Sequence, residues 1–164
     1  MNYFFITVGY SGLFPKAPGT AGSFVALLIG IPFLAYFGSQ TFFGAAVLLG
    51  ILGVKAIDKY ELKTGTHDDK KIVIDELVGL WIALSIAPAF FNYDSMLNFE
   101  NGMLIQVILS FILFRIYDIK KPSIIGRIDR NVKGGIGVMG DDVIAGFAAG
   151  ITTAIIWQII LKFI

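Results

Sequence analysis

The sequence has no cysteine and a single histidine, His67, in 164 residues. A disulfide framework, a thiolate zinc site and a cysteine nucleophile are therefore excluded. One histidine also cannot supply a two-histidine catalytic pattern. Charge is scarce: charged residues make up 15% of the chain, against roughly 25% in ordinary soluble domains. Thirteen Lys and Arg nearly balance twelve Asp and Glu, leaving a formal net charge of +1, so no global basic field points to nucleic acid. Met1 to Phe14 carry no basic side chain ahead of their apolar run, and no small-residue cleavage pattern follows. Insertion through internal segments is expected in place of a cleaved signal peptide.

What the chain has in abundance is apolar side chains, 56% of its residues, and glycine, 19 in all. A soluble domain of this size has no room to hide so much apolar surface, and disorder requires the opposite composition. Five apolar runs fit membrane helices of about 20 residues: Gly22 to Phe37, Gln40 to Ile57, Ile72 to Phe91, Gly102 to Ile119 and Val143 to Ile164. The first is short and contains Pro32. The runs are continuous, without the alternation of barrel strands. The expected fold is an all-α, polytopic membrane helical bundle of about five transmembrane or membrane-embedded helices, with residues 1–164 as a single domain. With five crossings, 12 of the 13 cations fall on one face and only Lys162 on the other. Cationic loops stay in the cytoplasm, which predicts an inside N-terminus and an outside C-terminus. The glycines suit close helix packing in a bilayer; Gly146 and Gly150 are spaced to pack helices within one chain or between two.

Ten of the twelve carboxylates share the basic face. Asp58 and Glu61 alternate with lysines and read as a solvated helix extension. Asp75 and Glu76 differ, because they stand inside an otherwise apolar span, where an acid is costly and needs a polar cavity and partners. Arg115, Asp118 and Lys121 recur at spacings of three on one helix face before Pro122 ends the helix. Gly134-Gly135-Ile136-Gly137-Val138-Met139-Gly140 is expected as a glycine-rich loop leading into Asp141, Asp142 and the fifth span, either an anion cradle of bare amides or a capping segment. Thr20 and Ser23 follow a Pro-Gly turn and either cap a helix or face a phosphate. His67 reads as a solvated loop residue. Hard oxygen ligands without cysteine point to Mg²⁺. Metal, Lys and Arg together at a membrane edge point to a phosphorylated lipid headgroup.

Four stretches in order carry a family resemblance: Gly9-Tyr10-Ser11-Gly12-Leu13 with Ala17-Pro18-Gly19-Thr20-Ala21-Gly22-Ser23; His67-Asp68 through Ile72-Val73-Ile74-Asp75-Glu76-Leu77-Val78-Gly79; Phe114-Arg115-Ile116-Tyr117-Asp118-Ile119-Lys120-Lys121-Pro122; and residues 129–146, including Gly140-Asp141-Asp142. Together they resemble phosphatidylglycerophosphatase A, a bacterial inner-membrane lipid phosphatase. Where that family has an aromatic after the Lys-Pro pair, this chain has Ser123. The resemblance implies Mg²⁺-dependent hydrolysis of phosphatidylglycerophosphate to phosphatidylglycerol and phosphate, at the cytoplasmic face of a multi-pass protein in the cytoplasmic (inner) membrane. Asp75, Glu76, Asp118, Asp141 and Asp142 are the expected metal ligands or base, and Lys121, Arg115, Arg130 and Lys133 the expected phosphate-binding cations. Thr20, Ser23 and the amides of Gly134 and Gly135 would assist. The attacking group is a metal-activated water or, second to it, an Asp nucleophile. Two other classes stay open: a phosphatase or phosphotransferase for another lipid phosphate, and a non-enzymatic ion pathway. Against the pathway, Ala83 to Phe91 and Ile151 to Ile156 are free of charge. Oligomeric state is open, and the partner is the bilayer itself.

Overall fold

Long apolar runs with few breakers make helices, and the computed structural model, which describes residues 3–87 and 101–163, is a set of helices joined by turns and loops. Among the described residues there are six α-helices and no strand. They are α1 (Tyr3–Ile6), α2 (Pro18–Thr64), α3 (Ile74–Ile86), α4 (Asn101–Lys120), α5 (Ile124–Asn131) and α6 (Gly134–Ile160), with a 3₁₀ turn at Ser11–Leu13. Three are long and apolar enough to cross a membrane: α2, α4 from Gly102, and α6. With large apolar side chains such as Leu28, Tyr36, Leu48, Ile51, Ile151 and Ile155 exposed, the chain is a membrane protein.

At 47 residues, α2 would reach about 70 Å if straight, more than twice the apolar thickness of a bilayer. It is not straight. Gly38 takes a non-helical φ of 79° and ψ of 165°, a left-handed turn only glycine adopts without strain. The expected spans Gly22 to Phe37 and Gln40 to Ile57 are thus two arms joined at one residue. They fold back on each other around Trp81 of α3. Phe33 of the first arm and Phe42 of the second both pack on its ring, with centroids 5.6 and 4.5 Å away, and its Nε1 donates to the Ala26 carbonyl at 2.9 Å. Proline at the start of α2 and left-handed Gly65 after its end are the usual boundary residues.

The centre of the molecule is α3. Asp75 and every residue from Leu77 to Leu84 are buried. It packs on α2 on one side and α6 on the other, and the α6 contact is backbone to backbone. A Cβ on Gly146 would lie 2.2 Å from the Gly79 carbonyl oxygen, and one on Gly79 would lie 2.5 Å from the Asp142 carbonyl oxygen. A Cβ on Gly150 would lie 2.9 Å from the Ala83 carbonyl oxygen, so the Gly146/Gly150 pair packs helices within this chain. The sequence expectation for this region needs one correction. The run from Gly134 to Gly140 is not a loop: α6 begins at Gly134, nine residues before the expected span. Glycine normally weakens a helix, but here a Cβ on Gly135 would meet the Val54 carbonyl at 2.3 Å and one on Gly137 the Val132 carbonyl at 2.1 Å. Close approach of the neighbouring backbone is what these glycines serve. The described part of the third expected span is α3, and residues 88–91 and the Asn92–Glu100 connection with its two acids lie outside the described residues.

Gly146→Val should therefore force α3 and α6 apart. Overpacking of this kind costs typically about 1–3 kcal/mol, and the detergent-solubilised protein should melt several degrees lower. Gly44 has nothing within 4 Å of a Cβ, so Gly44→Ala should raise the melting temperature slightly. Equal behaviour of the two variants in a thermal melt would contradict this packing.

Candidate active site

The α3–α6 crossing decides which acids meet. Asp75 and Glu76 occupy the first turn of α3, where the helix dipole favours anions. Asp141 and Asp142 lie on α6 just before the crossing glycine, Gly146. Asp75, Glu76 and Asp142 each offer a carboxylate oxygen, all within 4.8 Å of one another. Asp75 Oδ1, Glu76 Oε2 and Asp141 Oδ1 are buried without a hydrogen-bond partner. Gly19 at the start of α2 admits the Glu76 side chain, since a Cβ there would lie 2.3 Å from Glu76 Oε1.

The cations arrive from the end of α4. Arg115 Nη1 donates to Asp118 Oδ2 at 2.5 Å and to Ser23 Oγ at 3.2 Å, and Nη2 reaches Thr20 Oγ1 at 3.4 Å. Ser23, fully buried, donates its own hydroxyl hydrogen bond to the Gly19 carbonyl at 2.8 Å. The i, i+3 ion pair legible in the sequence is thus also a tie to the first two turns of α2. Lys121 follows the last turn with a left-handed φ of 43°, a conformation uncommon outside glycine. That reversal carries Nζ to Asp129 of α5 and to Asp141 Oδ2, the latter at 2.6 Å. Burial disfavours the lysine's charge, but its bonds to the two carboxylates outweigh this and hold its pKa above the ordinary lysine range.

These groups line one cavity of about 260 Å³. Asp75, Glu76, Arg115, Asp118, Lys121, Asp141 and Asp142 all face it, joined by Asp129, His67 and Lys70, which the sequence reading did not place in a site. Thr20 and Ser23 touch it through Arg115. Arg130, Lys133, Gly134 and Gly135 are not on its wall. Lys133 precedes α6. The Gly135 amide is already taken: it donates to Asp58 Oδ1 at 2.6 Å. Asp58 is therefore more than a wetted surface acid, because it caps α6 from α2 across 77 residues of sequence. Only the α2–α6 contact brings donor and acceptor together, so no local capping pattern announces it. His67 is tied back by Glu61, 2.7 Å from its Nδ1.

Three carboxylates this close cannot all stay ionised without a compensating cation. The orphaned oxygens of Asp75 and Glu76, in a triad with no sulfur or imidazole, fit a hard divalent ion. Beside them stand a guanidinium and an ammonium suited to phosphate oxygens. The profile of the family described as Phosphatidylglycerophosphatase A matches residues 4–157. The chain belongs to the phosphatidylglycerophosphatase A family. It is 40% identical over 151 residues to phosphatidylglycerophosphatase A of Escherichia coli, covering 89% of this chain and 78% of that protein. With the Haemophilus influenzae phosphatidylglycerophosphatase A it shares 34% identity over 145 residues, 88% of this chain and 82% of the relative. A Bacteroides thetaiotaomicron protein, provisionally named a phosphatidylinositol-3-phosphatase, is 40% identical over 149 residues, 88% of this chain and 86% of that protein. No solved structure matches the chain. The phosphatidylglycerophosphatase A family profile runs from the N-terminal turn nearly to the end of α6, and so covers every element that lines the cavity.

Loss of the tertiary cap should be measurable. Asp58→Ala removes the acceptor for the Gly135 amide and should cost about 1–2 kcal/mol of stability. Asp58→Asn keeps a carbonyl acceptor and should cost markedly less. Equal thermal shifts for the two variants in detergent would remove the cap from the account.

Proposed function

We propose that this protein hydrolyses the terminal phosphate monoester of phosphatidylglycerophosphate, releasing phosphatidylglycerol and inorganic phosphate. The observation that carries the reading is the meeting of three carboxylates with Arg115 and Lys121 in one cavity, in a chain of this family. Asp75, Glu76 and Asp142 would hold Mg²⁺. The ion supplies charge neutralisation and polarisation of the phosphoryl group when bound.

The protein's own groups divide the remaining work. Arg115, braced by Asp118, Ser23 and Thr20, presents its guanidinium to non-bridging phosphate oxygens. Lys121, held charged by Asp129 and Asp141, neutralises a second oxygen. Asp141 spends Oδ2 on Lys121, which leaves buried Oδ1 to take a proton from the attacking water. The water oxygen forms the new P–O bond and the ester P–O bond breaks. The departing glycerol oxygen takes a proton from bulk water, to which Asp141 returns its own.

In this reading the protein is a multi-pass protein of the bacterial cytoplasmic membrane. The two arms of α2, then α3, α4 and α6 are its five embedded segments, with the cavity at the cytoplasmic edge. The cation distribution supports that orientation. A second substrate deserves a place in the test because the Bacteroides relative, as similar as the Escherichia coli one, carries a different substrate name.

The deciding measurement is kcat/KM for phosphatidylglycerophosphate, phosphatidic acid and phosphatidylinositol 3-phosphate in mixed micelles with Mg²⁺. Phosphatidylglycerophosphate should be the best of the three, and a strong chelator should abolish its turnover. Asp75→Asn, Glu76→Gln, Asp142→Asn and Lys121→Met should each lower kcat/KM at least about 100-fold, as loss of one charge-stabilising group commonly does. Undiminished activity in chelator would overturn the metal, and a preference for the inositol lipid would overturn the substrate.

Topology has its own test, because the chain lacks cysteine. Thr66→Cys and Arg127→Cys should resist an impermeant thiol reagent in intact cells, and Met96→Cys should react. The reverse pattern would invert the orientation.

A further inference from the structure

Beside the acid cavity runs an apolar groove of about 750 Å³, walled by Tyr10, Phe14, Lys16, Thr20, Phe24 and Phe111 among others. Tyr10, Phe14 and Phe24 are more than half exposed. Two helices carry the groove and the cavity together. Pro18 and Gly19 of α2 line the cavity, while Thr20 and Phe24 line the groove. On α4, Arg115 lines the cavity and Phe111, one turn earlier, lines the groove. Thr20–Phe24 and Phe111–Arg115 are both i, i+4 pairs, which share a helix face. Their polar members meet, Arg115 Nη2 to Thr20 Oγ1 at 3.4 Å. The polar end of the groove therefore borders the catalytic cavity, and its apolar part lies one turn further along both helices.

The other wall is built, not loose. The Val73 amide donates to the Ile6 carbonyl at 2.9 Å, and the Gly12 amide to the Thr7 carbonyl at 3.1 Å. A Cβ on Gly12 would lie 2.1 Å from the Lys71 carbonyl oxygen. Ala17, in a left-handed conformation with φ of 55°, turns the chain between Lys16 and the start of α2. Lys16 is the one charged residue on the groove wall, and among the described residues it makes no ion pair.

We propose that this groove seats the glycerol backbone and the first part of an acyl chain of the lipid substrate, with Lys16 paired to the phosphodiester. The proposal rests on the catalytic reading above. The charge order matches. The monoester meets Arg115 and Lys121 in the cavity, the diester meets Lys16 at the rim, and the chain lies along the aromatic wall. Arg130 and Lys133, which the sequence reading expected to bind phosphate, are not on the cavity wall. Because lipid tails are as apolar as the groove, moving a chain into it yields little hydrophobic gain. The groove serves to orient the headgroup, and Lys16 to select lipids with a second phosphate.

The test uses the purified full chain in mixed micelles with two photoreactive lipids, phosphatidylglycerophosphate and phosphatidylcholine, each with a diazirine near the start of one acyl chain. Mass spectrometry of wild type should place phosphatidylglycerophosphate adducts on residues 10–24 and Phe111 several-fold more often than phosphatidylcholine adducts. Lys16→Gln should reduce that enrichment and lower kcat/KM for phosphatidylglycerophosphate about tenfold more than for phosphatidic acid, the scale of one charge-assisted hydrogen bond. Lys16→Arg should restore it. Equal labelling by the two lipids would mean ordinary bilayer lipid and would overturn the proposal, as would equal kinetic losses on both substrates. Hydrolysis without enriched labelling would overturn the groove and leave the catalytic reading intact. Enriched labelling without hydrolysis would keep the groove and overturn that reading.

Discussion

The bare-backbone crossing of α3 and α6 is the contact on which the rest depends. Gly79 and Gly146 let the two helices touch where any side chain would hold them apart. One turn before Gly79 lie Asp75 and Glu76, and one turn before Gly146 lies Asp142. The crossing therefore delivers acids from two helices into a few ångströms of each other. Buried acids on separate helices repel, and packing energy elsewhere helps to hold them together. That energy is visible in the burial of nearly every residue of α3 and in the arms of α2 that clasp Trp81.

Charge balance is the second layer. An uncompensated buried carboxylate is costly, and this protein answers with cations from a third helix and its exit turn. Arg115 is anchored at both ends, by Asp118 on its own helix and by hydroxyls of α2. Lys121 is aimed by an unusual backbone conformation and pinned by two acids. Such bracing limits the motion of long side chains, which is what electrostatic catalysis requires of them. The N-terminal turn adds a third layer by placing a fixed aromatic wall beside the polar cavity.

Glycine shows how one residue type serves two ends. At Gly38 the need is conformational: a left-handed turn that reverses α2. Elsewhere, at Gly19, Gly135, Gly137 and Gly146, the need is space for a carbonyl or carboxylate. Composition alone cannot separate the two. The reading of the Gly134–Gly140 run as a loop failed for that reason, because low helix propensity was outweighed by close packing against Val54 of α2, which no local window contains.

The sequence by itself determined the membrane class, the helical architecture, the arms of α2, and seven of the charged residues that line the cavity. Each of those rests on local facts: run length, hydropathy, and the cost of charge within an apolar segment. Tertiary structure decided the rest. It gathered Asp75, Glu76 and Asp142 into one group and left Asp118 to brace Arg115. It drew Asp129 and His67 to the cavity, and left Arg130 and Lys133 off its wall. It also gave the Gly135 amide to Asp58 in place of an anion. These outcomes depend on which faces meet at a crossing and which donors are already satisfied, and both are properties of pairs of residues far apart in the chain.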